Sequence, residues 1–159
     1  MTSIVTAAVI LIGDELLSDR TQDTNLRTIA EFLGPLGVEI REARMITDVH
    51  ETIVATINEM RAAHDYVFTT GGIGPTHDDI TTDCIAAAFG VAVAHHEEAV
   101  RRLTHYYGAA EATDVRLRMA RIPDGADLIA NPVSVAPGWI AAPASSQSVS
   151  MSVSRMSRF

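Results

Sequence analysis

Thr69-Thr70-Gly71-Gly72-Ile73-Gly74-Pro75-Thr76-His77-Asp78-Asp79-Ile80-Thr81-Thr82-Asp83 decides the fold of this chain. An apolar strand-like segment, Tyr66-Val67-Phe68, precedes it, and a helix-like one, from Cys84 to Phe89, follows. Gly71, Gly72 and Gly74 let the backbone turn tightly and approach a ligand closely. Backbone N–H groups of such a turn, with the positive end of the next helix, form a seat for an anion, most often phosphate. Pro75 fixes the turn, and Thr70 and Thr76 offer hydroxyls. Aspartates follow at 78, 79 and 83. Carboxylates beside a phosphate imply a metal ion between the two sets of negative charge. A P-loop of the Walker type is excluded, because no Gly-Lys-Ser/Thr occurs.

Outward from this loop, the chain alternates strands and helices. Segment 3–12, SIVTAAVILI, is almost wholly apolar, as a strand buried on both faces of a parallel sheet must be. A loop from Gly13 follows, and Asp23 or Thr24 caps a helix to Leu33 with Leu26, Ile29, Ala30 and Leu33 on one face. Val38–Ile46 is a more polar strand, nearer an edge. Thr47 or Asp48 caps a second helix with Ile53, Val54, Ile57 and Met60 inward. The third strand covers 65–69, and the third helix runs from Asp79 to Phe89. Beyond it come a short strand at 91–93, a helix from Glu97 to Tyr107 with a stripe of Ala99, Val100, Leu103, Tyr106 and Tyr107, a helical segment at 112–120 and a strand at 127–130.

This order predicts a three-layer αβα domain with a mainly parallel sheet. Ligands of such sheets bind beyond the carboxyl ends of the strands. Three polar loops fall there: Gly13–Asn25, Thr47-Asp48 and Gly71–Asp79.

The totals narrow the partners. The 159 residues suffice for one domain with a real core, and 47% hydrophobic with 20% charged residues is an ordinary soluble composition. A net charge of −8 argues against nucleic acid as the main partner. One cysteine, Cys84, excludes an internal disulfide and a multi-cysteine metal site. No apolar run approaches the roughly 20 residues of a membrane span, and the start lacks the basic region of a signal peptide, so the expected compartment is the cytoplasm.

With the motifs GDELLSDRTQDTN at 13–25, MITD at 45–48 and NPVSVAPGW at 131–139, the glycine loop resembles the signature of the molybdopterin-binding (MoaB/Mog-like) fold. In combination they are similar to the N-terminal domain of CinA-type competence/damage-inducible proteins. The resemblance spans 1–139. It implies homo-oligomers, dimers or trimers, and a phosphorylated small-molecule partner. Mog-like members adenylylate molybdopterin with MgATP, and CinA-type relatives are linked to hydrolysis of nucleotide pyrophosphates such as ADP-ribose with a divalent metal, Mg²⁺ or Co²⁺. Carried onto this chain, Gly71, Gly72, Gly74, Pro75 and Thr76 would hold the ligand, with Asp14, Asp23, Asn25 and Asp83 around it. Asp48 and Asp79 would hold the metal and serve the reaction. The alternative is a non-catalytic module that binds a pterin or nucleotide phosphate.

The chain departs from the family at two places. Ser134 stands where many relatives have Gly. From 140 to 159 it carries seven serines and no acid, where the family continues with a strand and a Gly-Val-Pro loop. That segment is expected to be a flexible tail, truncated or frame-shifted, after a domain of 1–139.

Several residues have a plainer role open to them. Asp79 and Asp48 can cap helices, Asp83 can favour a helix first turn, and Asp14, Asp23 and Asn25 can simply be solvated. Cys84 is expected to be a buried structural thiol, and His95-His96-Glu97-Glu98 a helix start rather than a metal site. His77, inside the loop, is the better histidine candidate for phosphate contact. Tyr106, Tyr107 and Trp139 are expected to pack rather than stack on bases.

Overall fold

Strand β1 (Val5–Ile12) lies at the heart of a six-stranded sheet, with its residues from Ala7 to Ile12 all buried. Its side chains alternate between two cores. Ala8, Ile10 and Ile12 join Ile53, Ile57, Met60, Val67, Cys84 and Ile85 on one face. Ala7, Val9 and Leu11 join Ile29, Leu33 and Phe68 on the other. Burial on both faces is why this segment is continuously apolar instead of alternating. Residues 4–18, 23–129, 137–141 and 149–152 are described by this computed structural model.

The helices fall on both sides of the sheet. After the short α1 (Asp14–Leu17), α2 (Asn25–Leu33) covers the second face through Ile29 and Leu33. Helices α3 (His50–Ala63) and α4 (Thr81–Phe89) cover the first through Ile53, Ile57, Met60, Cys84 and Ile85. Full burial of side chains the size of Ile53 or Ile57 stabilises the fold by roughly 2 kcal/mol each. Strand β2 (Val38–Ile46) is an edge strand parallel to β1, and it alternates half-buried and exposed residues, with Val38 and Ile40 on the second core and, past a register shift opposite Ala7 and Ala8, Ile46 on the first. Strand β3 (Tyr66–Thr70) flanks β1 on the other side, also parallel.

A smaller unit follows. Strand β4 (Val93–His95) pairs antiparallel with β5 (Arg121–Pro123). Between them run α5 (Glu97–Tyr107), α6 (Asp114–Leu117) and a 3-10 turn, Arg118–Ala120, around a small core of Ala99, Leu103 and Ala120. Strands β6 (Asp127–Ile129) and β7 (Gly138–Ala141) return to the main sheet, whose order is β2-β1-β3-β8-β7-β6. The last strand, β8 (Val149–Ser152), runs parallel to β3 and antiparallel to β7.

The three-layer αβα reading with a mainly parallel sheet holds, with differences in detail: the short strand expected at 91–93 lies at 93–95, and the loop expected from Gly13 carries α1. Two stretches of the expected tail, 140–141 and 149–152, are strands of the main sheet, so the serine-rich segment is not all tail. The weak alternation at Val149 and Met151 falls on β8, where neighbouring strands on both sides supply the backbone pairing that composition does not reveal. The N-caps are Val49 for α3 and Ile80 for α4, each one residue beyond the expected caps at Asp48 and Asp79, and α4 starts at Thr81 rather than at Asp79. The helical segment at 112–120 is one turn of α-helix followed by a 3-10 turn, and Tyr106 lies on the exposed side of α5. The motif 131–136, with Ser134, lies outside the described residues.

Candidate functional site

With strands in the order β2-β1-β3 and helices α2 and α3 on opposite faces, the chain changes direction of winding at β1. The carboxyl ends at such a switch point leave a crevice where ligands of α/β sheets bind. The three expected loops meet there. The Gly13 N–H donates to the Ile46 carbonyl at the end of β2 (3.1 Å), and the Asp48 N–H donates to the Asp14 carboxylate (3.2 Å). Gly71, at the end of β3, presses on the end of β1.

The glycines are required by geometry. A Cβ on Gly71 would lie 1.9 Å from the Ile12 carbonyl oxygen, and one on Gly72 would lie 2.3 Å from the Thr81 hydroxyl. Both residues have positive φ, 93° and 62°. Two hydrogen bonds then tie the loop to the start of α4. The Thr81 hydroxyl donates to the Gly71 carbonyl (2.8 Å), and the Thr81 N–H to the Gly72 carbonyl (3.0 Å). The Thr81 side chain is fully buried in doing so. Of the first-turn N–H groups of α4, which have no partner within the helix, that of Thr81 is thus taken by the loop, and Thr82 and Asp83 line the adjoining cleft.

Asp79 closes the loop from inside. Its carboxylate accepts the N–H of Thr76 (2.8 Å) and the Thr76 hydroxyl (2.5 Å). A Cβ on Gly74 would lie 2.7 Å from the same carboxylate oxygen. Gly74, Asp79, Thr82 and Asp83 line one cleft together with Arg118, Arg121, Pro137 and Trp139. Asp83 is held there by Arg121, at 2.7 and 3.4 Å.

Asp48 belongs to a different group of acids. It is half-buried in the loop before α3. Burial pushes its carboxyl above the usual carboxylate range, and the charges of Asp14, Glu15 and Asp78 add to the shift. So Asp48 sits among Asp14, Glu15 and Asp78, whereas Asp79 is taken up by Thr76. Among the described residues, no three His, Cys, Asp or Glu side chains are grouped to hold a metal on their own.

The remaining candidates take plainer positions. The Asp23 carboxylate accepts the Leu26 N–H at 2.9 Å, which secures the first turn of α2, begun by Asn25. Pro75 and Thr76 lie in the loop, Thr76 exposed and Pro75 half-buried. His77 is exposed and paired with Asp78 at 2.9 Å. Burial pushes the Cys84 thiol up to about 11, as a structural thiol requires. His95 ends β4, while His96 precedes α5 and donates its N–H to the Ala120 carbonyl, so only His96 stands at the expected helix start. Sequence reasoning missed Arg118 and Arg121, because no spacing in the chain links them to the glycine loop.

Comparison with known proteins agrees with this architecture. A family model described as "Probable molybdopterin binding domain" matches residues 8–156. A curated protein of Pyrobaculum calidifontis is 39% identical over 135 residues, which cover 84% of this chain and 52% of that protein. The chain thus spans about half the length of such relatives, and about a third of the CinA-like proteins of Desulfovibrio and Anaeromyxobacter. The crystal structure of CinA from Thermoplasma acidophilum, described as of unknown function, is 33% identical with a TM-score of 0.86, covering 96% of this chain and 89% of that one. The tungsten cofactor synthesizing protein MoaB from Pyrococcus furiosus, 21% identical with a TM-score of 0.58, covers 97% of this chain and 84% of its own, and shares the fold. No helix among the described residues is long and apolar enough to cross a membrane.

Proposed function

The chain belongs to the molybdopterin-binding domain family, as a CinA-type member of the MoaB/Mog-like fold, and from that premise we propose that it binds a phosphorylated small molecule at the glycine loop and acts on a phosphoanhydride. The ligand is a pterin or nucleotide phosphate, and the reaction is hydrolysis of a nucleotide pyrophosphate or nucleotidyl transfer. The observation that carries this is the approach of Gly71 to the Ile12 carbonyl, which seats a side-chain-free loop and a helix N-terminus at the switch point of the sheet.

A divalent metal, Mg²⁺ or Co²⁺, fits the carboxylates if the ligand supplies the remaining donors. Mg²⁺ is ordinarily bound by one or two carboxylates together with substrate phosphates and water. Asp48, crowded by three other acids, is the first ligand in this reading, and Asp79, which stands apart from that group, is the second once Thr76 releases its carboxylate. The metal would neutralise charge on the phosphates. The chain's own part is to hold phosphate by the loop amides and to position it.

One observation favours the rival reading of a binding module without turnover: the Asp79 carboxylate already serves Thr76. Incubation with ADP-ribose, NAD or ATP, with and without Mg²⁺ and Co²⁺, decides between them. Metal-dependent product supports the enzyme. Raised thermal stability with the same ligands and no product supports the module. A homo-oligomer, dimer or trimer, is part of the same proposal, and light scattering reads it directly.

A further inference from the structure

Arg118 and Arg121 both face the cleft that the glycine loop borders. Their situations differ. Arg121 is neutralised by Asp83 on the first turn of α4. Arg118 is half-buried at the start of the 3-10 turn, and among the described residues no carboxylate or carbonyl accepts from its guanidinium. A guanidinium without an acceptor, on a half-buried arginine beside a loop read as a phosphate seat, has its donors free for an oxyanion. The same side chain also lines the groove between α5 and α6.

We propose that Arg118 binds a second phosphate of the ligand, so that the site takes a diphosphate in preference to a monophosphate. The first phosphate lies on the loop amides at Gly72–Gly74, and the second meets the planar fork of Arg118, which matches two phosphate oxygens at once. Asp83 keeps Arg121 from competing, and so leaves a single free cation on that wall among the described residues. The inference rests on the phosphate-binding reading of the loop and specifies the ligand class of that same site.

Calorimetry with inorganic pyrophosphate and inorganic phosphate, with and without Mg²⁺, tests it on wild type, Arg118→Gln and Arg118→Lys. Arg118→Gln is expected to weaken pyrophosphate by about 30-fold and to leave phosphate within about two-fold. Arg118→Lys is expected to recover part of the loss, since it restores charge but not the fork. Unchanged pyrophosphate affinity in Arg118→Gln overturns the proposal, and so does an equal loss for both anions. If wild type binds neither anion, the loop reading itself falls and this inference falls with it. Phosphate binding with an unaffected pyrophosphate affinity sinks the Arg118 assignment alone.

Discussion

The Asp79 carboxylate holds the N–H and the hydroxyl of Thr76 at 2.8 and 2.5 Å, so the acid that follows the glycine loop also shapes it. Removing the carboxylate frees Thr76 and opens space beside Gly74. Asp79→Ala is expected to lose about 1 to 2 kcal/mol in urea unfolding, and Asp79→Asn less, because its amide oxygen still accepts one bond. If Asp79 also serves the metal, both variants lose metal-dependent turnover. Full turnover in Asp79→Ala would sink its catalytic assignment.

Gly71 and Gly90 separate two costs of a side chain. Both have positive φ, 93° and 68°, but a Cβ on Gly90 meets nothing within 4 Å, whereas one on Gly71 strikes the Ile12 carbonyl. Gly90→Ala is expected to cost about 1 kcal/mol, the backbone term alone. Gly71→Ala is expected to cost about 3 kcal/mol or more, because β1 and β3 must move apart at the switch point. Equal losses in thermal unfolding would show that the close approach is relaxed without cost.

Much of this fold was legible because its signals are local. The apolar run 3–12 marks a strand buried on both faces, observed over Val5–Ile12, and the greater polarity of Val38–Ile46 marks an edge strand with those same bounds. Helix starts were less legible. Asp48 and Asp79 have the chemistry of caps, but one donates its N–H to Asp14 and the other accepts from Thr76, and the cap position falls on the next residue, Val49 and Ile80. The loops were identifiable as a site from their place after parallel strands. The division of acids within it was not: whether Asp48 faces Asp79 or Asp14 depends on loop conformation, which no periodicity encodes. Arg121 is 38 residues from Asp83, and only the return of β5 brings them together.

The Asp83–Arg121 pair joins α4 to the smaller unit, with side chains 38% and 30% exposed. That exposure places it between a surface pair and a buried one. A double-mutant cycle with Asp83→Asn and Arg121→Gln is expected to give a coupling of about 1 kcal/mol, decreasing with added salt. A coupling of zero at low salt would mean that the pair does not hold the smaller unit to the helix.

Asp48 gives the site a pH signature. Burial, then the charges of Asp14, Glu15 and Asp78, hold its folded carboxyl above the ordinary value, while hydrogen bonding from the Asp14 backbone opposes the shift. Between the unfolded and the raised folded value, the native state keeps a proton that the unfolded chain has lost. Stability therefore falls as pH rises through that window, and the penalty stays in full at higher pH. Asp48→Asn removes the charge. It is expected to raise the melting temperature at pH 7 and to lose that advantage below about pH 4, where ordinary carboxyls are protonated. Mg²⁺ with pyrophosphate should narrow the difference, because a cation stabilises the charged wild-type site and not the amide. An Asp48→Asn variant less stable than wild type at pH 7 without metal would mean that Asp48 is held by interactions favouring its charge, and the acids would then not form a site strained for a cation.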